Sequence, residues 1–125
     1  MTISVKEILV KARNKIENPE NWCKKAKART VEPDANNTGC MIACHSCDPK
    51  ACQWCATGAI DSVIPSNLVR RYFENRVKAK ILLSEICPMH SIISYNDHKT
   101  TLHKDIIRVF DRAIEIADTV KIKID

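Results

Sequence analysis

The chain has 125 residues, 45% of them hydrophobic and 28% charged, with a formal net charge of +5. That balance fits one domain spanning residues 1–125 with a core of its own, and excludes a disordered or low-complexity chain. No run approaches the roughly 20 apolar residues that cross a bilayer, and the opening MTISVKEILVKAR has no apolar signal core. A cytoplasmic protein with reduced thiols and no membrane partner is therefore expected.

The charge is uneven. Residues 1–29 carry eight Lys or Arg against three Glu, and the remainder carries twelve basic and twelve acidic residues. A basic end can meet an acidic protein partner or nucleic acid. Trp22 is the single aromatic among these charges, so a solvated face is the plainer reading.

Ser4 followed by Glu7 reads as a capping box, and Val5, Ile8, Leu9, Ala12 and Ile16 form an apolar stripe, so a helix is expected over 5–17. Asn18-Pro19 stops it and caps a short basic helix with Trp22, Cys23 and Ala26 turned inward. Residues 30–39, with Pro33, Asp34, Asn36, Asn37 and Gly39, read as a loop.

Residues 39–62, GCMIACHSCDPKACQWCATGAIDS, hold five of the seven cysteines. Asp48-Pro49 is a good helix entry. Continued at helical spacing to about Val63, one face would carry Cys52, Cys55, Ala56, Ala59 and Ile60. On that face a free cysteine acts as a small core residue. Cys40, Cys44 and Cys47 fall before the helix, where packing does not call for them. Together with Cys52, Cys55 and His45 they make a structural zinc site one expectation, because tetrahedral zinc takes four Cys or His ligands and a C-x2-C pair supplies two from one turn. Free or oxidisable thiols are the other. Gly58 inside the helix costs roughly 1 kcal/mol against Ala, which suggests close approach of another element.

Pro65-Ser66 breaks that helix. Residues 67–86 read as the longest helix, its inner face running through Leu68, Val69, Tyr72, Phe73, Val77, Ile81, Leu83 and Ile86. Cys87-Pro88 ends it. Residues 89–101 read as a connector in which Asn96-Asp97 turns or caps the backbone. Thr100 or Thr101 is expected to cap a last helix with the cleanest stripe in the chain, Leu102, Ile106, Val109, Phe110, Ala113 and Ile114. Residues 120–125 alternate apolar and charged, which suggests a short strand beside residues 2–5. The expectation is an all-α bundle of four to five helices with a Cys-rich loop and a short terminal strand pair.

The run Asp48-Pro49-x-Ala51-x-x-Trp54-Cys55-Ala56-x-Gly58-Ala59, the upstream Trp22 and the later Tyr95-Asn96-Asp97 resemble a family of small bacterial and phage proteins known only as a domain of unknown function. The resemblance implies a shared helical fold and marks Trp22, Trp54, Cys55, Gly58, Ala59, Asn96 and Asp97; it names no activity. Cys40, Cys44, Cys47 and Cys52 lie outside its pattern. Three functions are weighed: a non-enzymatic binding module, with or without zinc; nucleic-acid binding through the basic end; and a thiol enzyme with Cys55 as nucleophile and Asp97 and His98 as orienter and base.

Overall fold

The computed structural model describes residues 3–30 and 42–119. The expected terminal strand at 120–125, Cys40 and most of the 30–39 loop lie outside them.

The first helix, α1 (Val5–Lys15), starts as its sequence requires: the Ser4 side chain accepts the Glu7 N–H at 3.1 Å. Ile8, Leu9, Ala12 and Ile16 are fully buried. Asn18 and Pro19 then behave as a cap and first position, but only for one 3-10 turn, Pro19–Asn21. No helix follows. The chain extends and becomes a strand, β1 (Ala28–Thr30), which pairs antiparallel with β2 (Ile42–Cys44) on one side and β3 (Gln53–Trp54) on the other.

The all-α expectation is therefore wrong. Among the described residues the fold is mixed: five α-helices and a three-stranded antiparallel sheet in the order β2-β1-β3. The error has a local cause. Asp48 and Pro49 do initiate a turn, with Asp48 Oδ1 accepting the Lys50 N–H at 2.9 Å, but that turn closes on itself. Gln53 and Trp54 then give their backbone to β1 in register with Arg29 and Ala28. The helix begins only at α2 (Ala56–Ser62), with Cys55 as its N-cap. Cys52 precedes the helix and is disulfide-bonded, against the expectation of uniformly reduced thiols.

A 3-10 turn, Ser66–Leu68, leads through a further turn into α3 (Phe73–Ile86). Because the helix starts at Phe73, the phase counted from Leu68 is lost. The buried positions are Tyr72, Ala79, Leu82 and Leu83, while Phe73 is 53% exposed. The connector holds a short helix, α4 (Ile92–Asp97), capped by the Ser91 side chain. The last helix, α5 (His103–Ile116), has Leu102 at the N-cap position instead of a threonine. The Asp105 carboxylate holds that entry by accepting the Leu102 N–H at 2.9 Å.

Helix α1 packs on α5, α2 and α3, and α3 closes on α5. Phe110, Ile106, Ile60 and Leu83 fill the space between them. The sheet and α4 sit at the N-terminal end of α2 and hold the residues considered next. No helix among the described residues is long and apolar enough to cross a membrane.

Candidate functional site

Asn96 is the residue around which the site is assembled. It is 1% exposed, on α4. Its Oδ1 accepts from Trp22 Nε1 at 2.8 Å and from the Ala56 N–H at 3.0 Å, and its Nδ2 donates to Cys23 O at 3.1 Å and to Asp97 Oδ1 at 3.0 Å. Every capacity of the amide is used, and one side chain ties the 22–30 segment, the start of α2 and α4 together. Asp97 extends the clamp by accepting the Lys25 N–H at 2.7 Å. Lys25 has φ 65°. That left-handed conformation costs a non-glycine residue roughly 1 kcal/mol or more, and the ion-assisted hydrogen bond from its own amide offsets it.

On the other side of the same segment, the Cys55 N–H donates to Lys27 O at 3.1 Å, and Cys55 Sγ accepts the Gly58 N–H at 3.3 Å. The thiol is buried and shares a hydrogen bond with Thr57 Oγ1 at 3.4 Å. Gly58 packs against the Lys27 carbonyl with no room for a Cβ. Ala59 is fully buried in the core. Trp54 donates its Nε1 proton to Ser46 O at 3.1 Å and lies under Lys15 Nζ, 4.5 Å from the ring centre. Trp22, Trp54, Cys55, Gly58, Asn96 and Asp97 thus converge from distant parts of the chain. Most of them clamp the backbone. Cys55, Asn96 and Asp97 also face open space.

That space is a cavity of about 180 Å³, walled by Cys55, Thr57 and Asn96, by the aliphatic Ile92 and Ile93, and by the loop residues Lys25 to Lys27. A second hollow of about 280 Å³ adjoins it and shares Thr57, Ile92 and Ile93, with Lys80 and Glu85 at its far side. The two lie side by side on these shared walls and are together called the groove. Ile93 is 60% exposed at its lip.

Behind the groove lies a charge cluster. The buried Asp61 carboxylate accepts from Lys80 Nζ at 2.8 Å, Lys27 Nζ at 2.9 Å and Arg76 Nη1 at 3.2 Å. Three cations on one carboxylate leave an excess of two positive charges. Arg76 Nε is also buried without a partner among the described residues. Burial alone would push the Asp61 carboxyl up, but Lys80 and Lys27 outweigh it and hold it below the usual carboxylate range. With the folded value depressed, Asp61 contributes its stability above the ordinary carboxylate range of about pH 4. That contribution disappears as pH falls through the folded value. Asp61→Asn is expected to cost about 2 kcal/mol at neutral pH, discounted because Lys27 is half in solvent. The gap to wild type should close as pH falls through the depressed folded value, below which both side chains are neutral. Urea midpoints of the two proteins across that range check it, and a pH-independent gap would show that the ion pairs do not carry the effect.

The remaining candidates lie apart. Cys44 ends β2, and burial followed by the Asp48 charge pushes its thiol pKa up. Cys47 donates its thiol to Asp61 O at 3.6 Å, and its N–H to His45 Nδ1 at 3.1 Å. Among the described residues no three His, Cys, Asp or Glu side chains gather as a metal site. Cys40, a member of the expected zinc set, lies outside them. His98 does not line the groove: its ring engages Thr100 Oγ1 at 2.9 Å. Asp97 reaches the Cys55 cavity, but its neighbour does not.

The family model for DUF6197, a family of unknown function, matches residues 1–116. The chain belongs to this family. No curated protein and no solved structure matches it. Within the matched span, sequence reasoning passed over Lys25, Lys27, Thr57, Asp61 and Ile93. The only signal for the lysines was the basic surplus of the first 29 residues, and Asp61 reads in sequence as an ordinary outward-facing helix residue.

Proposed function

We propose that this DUF6197 member is a non-enzymatic binding module whose groove between the 22–30 segment, α2, α3 and α4 takes an acidic, partly apolar segment of a partner protein. The observation that carries the reading is the juxtaposition of an aliphatic lip, Ile92 and Ile93, with Lys25, Lys27 and Lys80 around two hollows that share walls. The surplus positive charge at Asp61 favours an anionic group there. Each hollow is of a size to take one or two side chains. The clamp made by Asn96 and Asp97 keeps the groove preformed, so little ordering cost falls on binding. The reading rests on the groove and not on a metal.

The test is a titration of isotope-labelled protein with a glutamate-rich peptide containing one leucine, followed by amide shifts. Shifts are expected at Lys25, Lys27, Thr57 and Ile92 to Asp97, with affinity falling as salt rises. Ile93→Ser and Lys27→Gln should each weaken binding on the order of tenfold. Ile93 is exposed, so its substitution should leave stability unchanged. Absence of shifts in the groove would overturn the proposal. Shifts produced instead by a single-stranded oligonucleotide along the basic 1–29 surface would favour nucleic-acid binding.

A further inference from the structure

We propose that Cys23 and Cys55 form a dithiol that a hydroperoxide closes into a disulfide between the 22–30 segment and the start of α2. The geometry comes from the backbone register. Trp22 and Trp54 form a parallel bridge, and the Cys23 N–H donates to Trp54 O at 3.1 Å. The next residue on each chain is a cysteine. Neighbouring extended chains run about 4.8 Å apart and successive side chains alternate in direction. Cys23 and Cys55 therefore leave the backbones on the same side, opposite the tryptophans. At that strand spacing the two residues come within the Cα span of roughly 4.4–6.8 Å that a disulfide bridges.

Both side chains are buried, at 7% and 8% exposure, and both are free thiols. Burial, followed by the charge of Cys55, pushes the Cys23 thiol up to about 11. The pair is asymmetric: Cys55 lines the cavity and Cys23 does not. A small peroxide entering the cavity meets Cys55 first.

The chemistry follows from that order. The Cys55 thiolate attacks one peroxide oxygen, the O–O bond breaks, and hydroxide leaves as the sulfenic acid forms. The Cys23 sulfur then attacks the Cys55 sulfur. The S–O bond breaks, and water departs with the proton of the Cys23 thiol. The two sulfurs are oxidised by two electrons in all, and the peroxide is reduced to water. Closure removes the Cys55 sulfur as the acceptor of the Gly58 N–H, so oxidation loosens the entry to α2. The pairing is independent of what the groove binds.

The test is a peptide map. The native full chain is treated with hydrogen peroxide, quenched with catalase, unfolded in acid with N-ethylmaleimide, and digested for mass spectrometry. A linked pair of peptides containing Cys23 and Cys55, lighter by two hydrogen atoms and separated by dithiothreitol, is expected. Cys23→Ser should leave a Cys55 sulfenic acid that dimedone traps, and Cys44→Ser should leave the link intact. A wild-type map with Cys55 oxidised while Cys23 still takes the alkylating agent would overturn the proposal. So would a map in which both stay reduced while Cys44 or Cys47 is oxidised. The wild-type map decides even if the Cys23→Ser variant fails to fold.

Discussion

Replacing Asn96 by alanine is expected to lower the unfolding free energy by about 4 kcal/mol. The side chain is 1% exposed and makes four hydrogen bonds. Its loss strands the Ala56 N–H at the start of α2 and the Cys23 carbonyl, both away from water, at a cost of about 1–3 kcal/mol each. The cavity left by the missing amide adds to that. Trp22 Nε1 is nearer the surface and can turn to solvent, so it adds less. Total stability of a domain this size is about 5–15 kcal/mol, so the change is a large share of it. The check is a urea melt followed by tryptophan fluorescence. Trp22→Phe removes the indole donor together with part of the ring that packs on the core, and is expected to cost about 1–2 kcal/mol. Combining the two should cost less than their sum, because they share one bond. Strict additivity would mean the Trp22–Asn96 bond does not form in solution.

The second large effect reverses a common rule. Alanine in place of a helical glycine normally stabilises by up to roughly 1 kcal/mol. At Gly58 the same change is expected to destabilise by about 3 kcal/mol. A Cβ there would lie 2.7 Å from the Lys27 carbonyl carbon, and the Lys27 carbonyl oxygen is closer still. These are backbone atoms and cannot rotate aside. The same carbonyl accepts the N–H of Cys55, the N-cap residue of α2, so moving it breaks that bond and shifts Lys27, which lines the groove. Gly58→Ala should therefore lower the urea midpoint and weaken peptide binding together. A variant as stable as wild type would show that the 22–30 segment does not approach α2 this closely.

The sequence by itself determined the parts whose signals are local. The Ser4 cap and the four-residue rhythm of Ile8, Leu9, Ala12 and Ile16 specified α1, and the rhythm of Ile106, Val109, Phe110 and Ala113 specified α5. The burial of Cys55, Ala56, Ala59 and Ile60 was legible too, although the helix carrying most of them starts at Ala56, seven residues after the first helical position expected at Pro49. The expectation that Gly58 meets a neighbouring element was correct, but nothing in the sequence named Lys27 as that neighbour.

Tertiary structure alone decided the sheet and the site. Strands of two or three residues are too short to show alternation, and β1 exists because residues 28–30 find partners at 42–44 and 53–54. That pairing captures Gln53 and Trp54 and denies them to the helix their spacing suggested. Asn96 likewise reads as a turn residue until its amide meets Trp22, 74 positions away. Local propensity is set by neighbours in sequence, whereas the hydrogen bonds of Asn96, the ion pairs of Asp61 and the pairing of Cys23 with Cys55 depend on chain segments that only folding brings together.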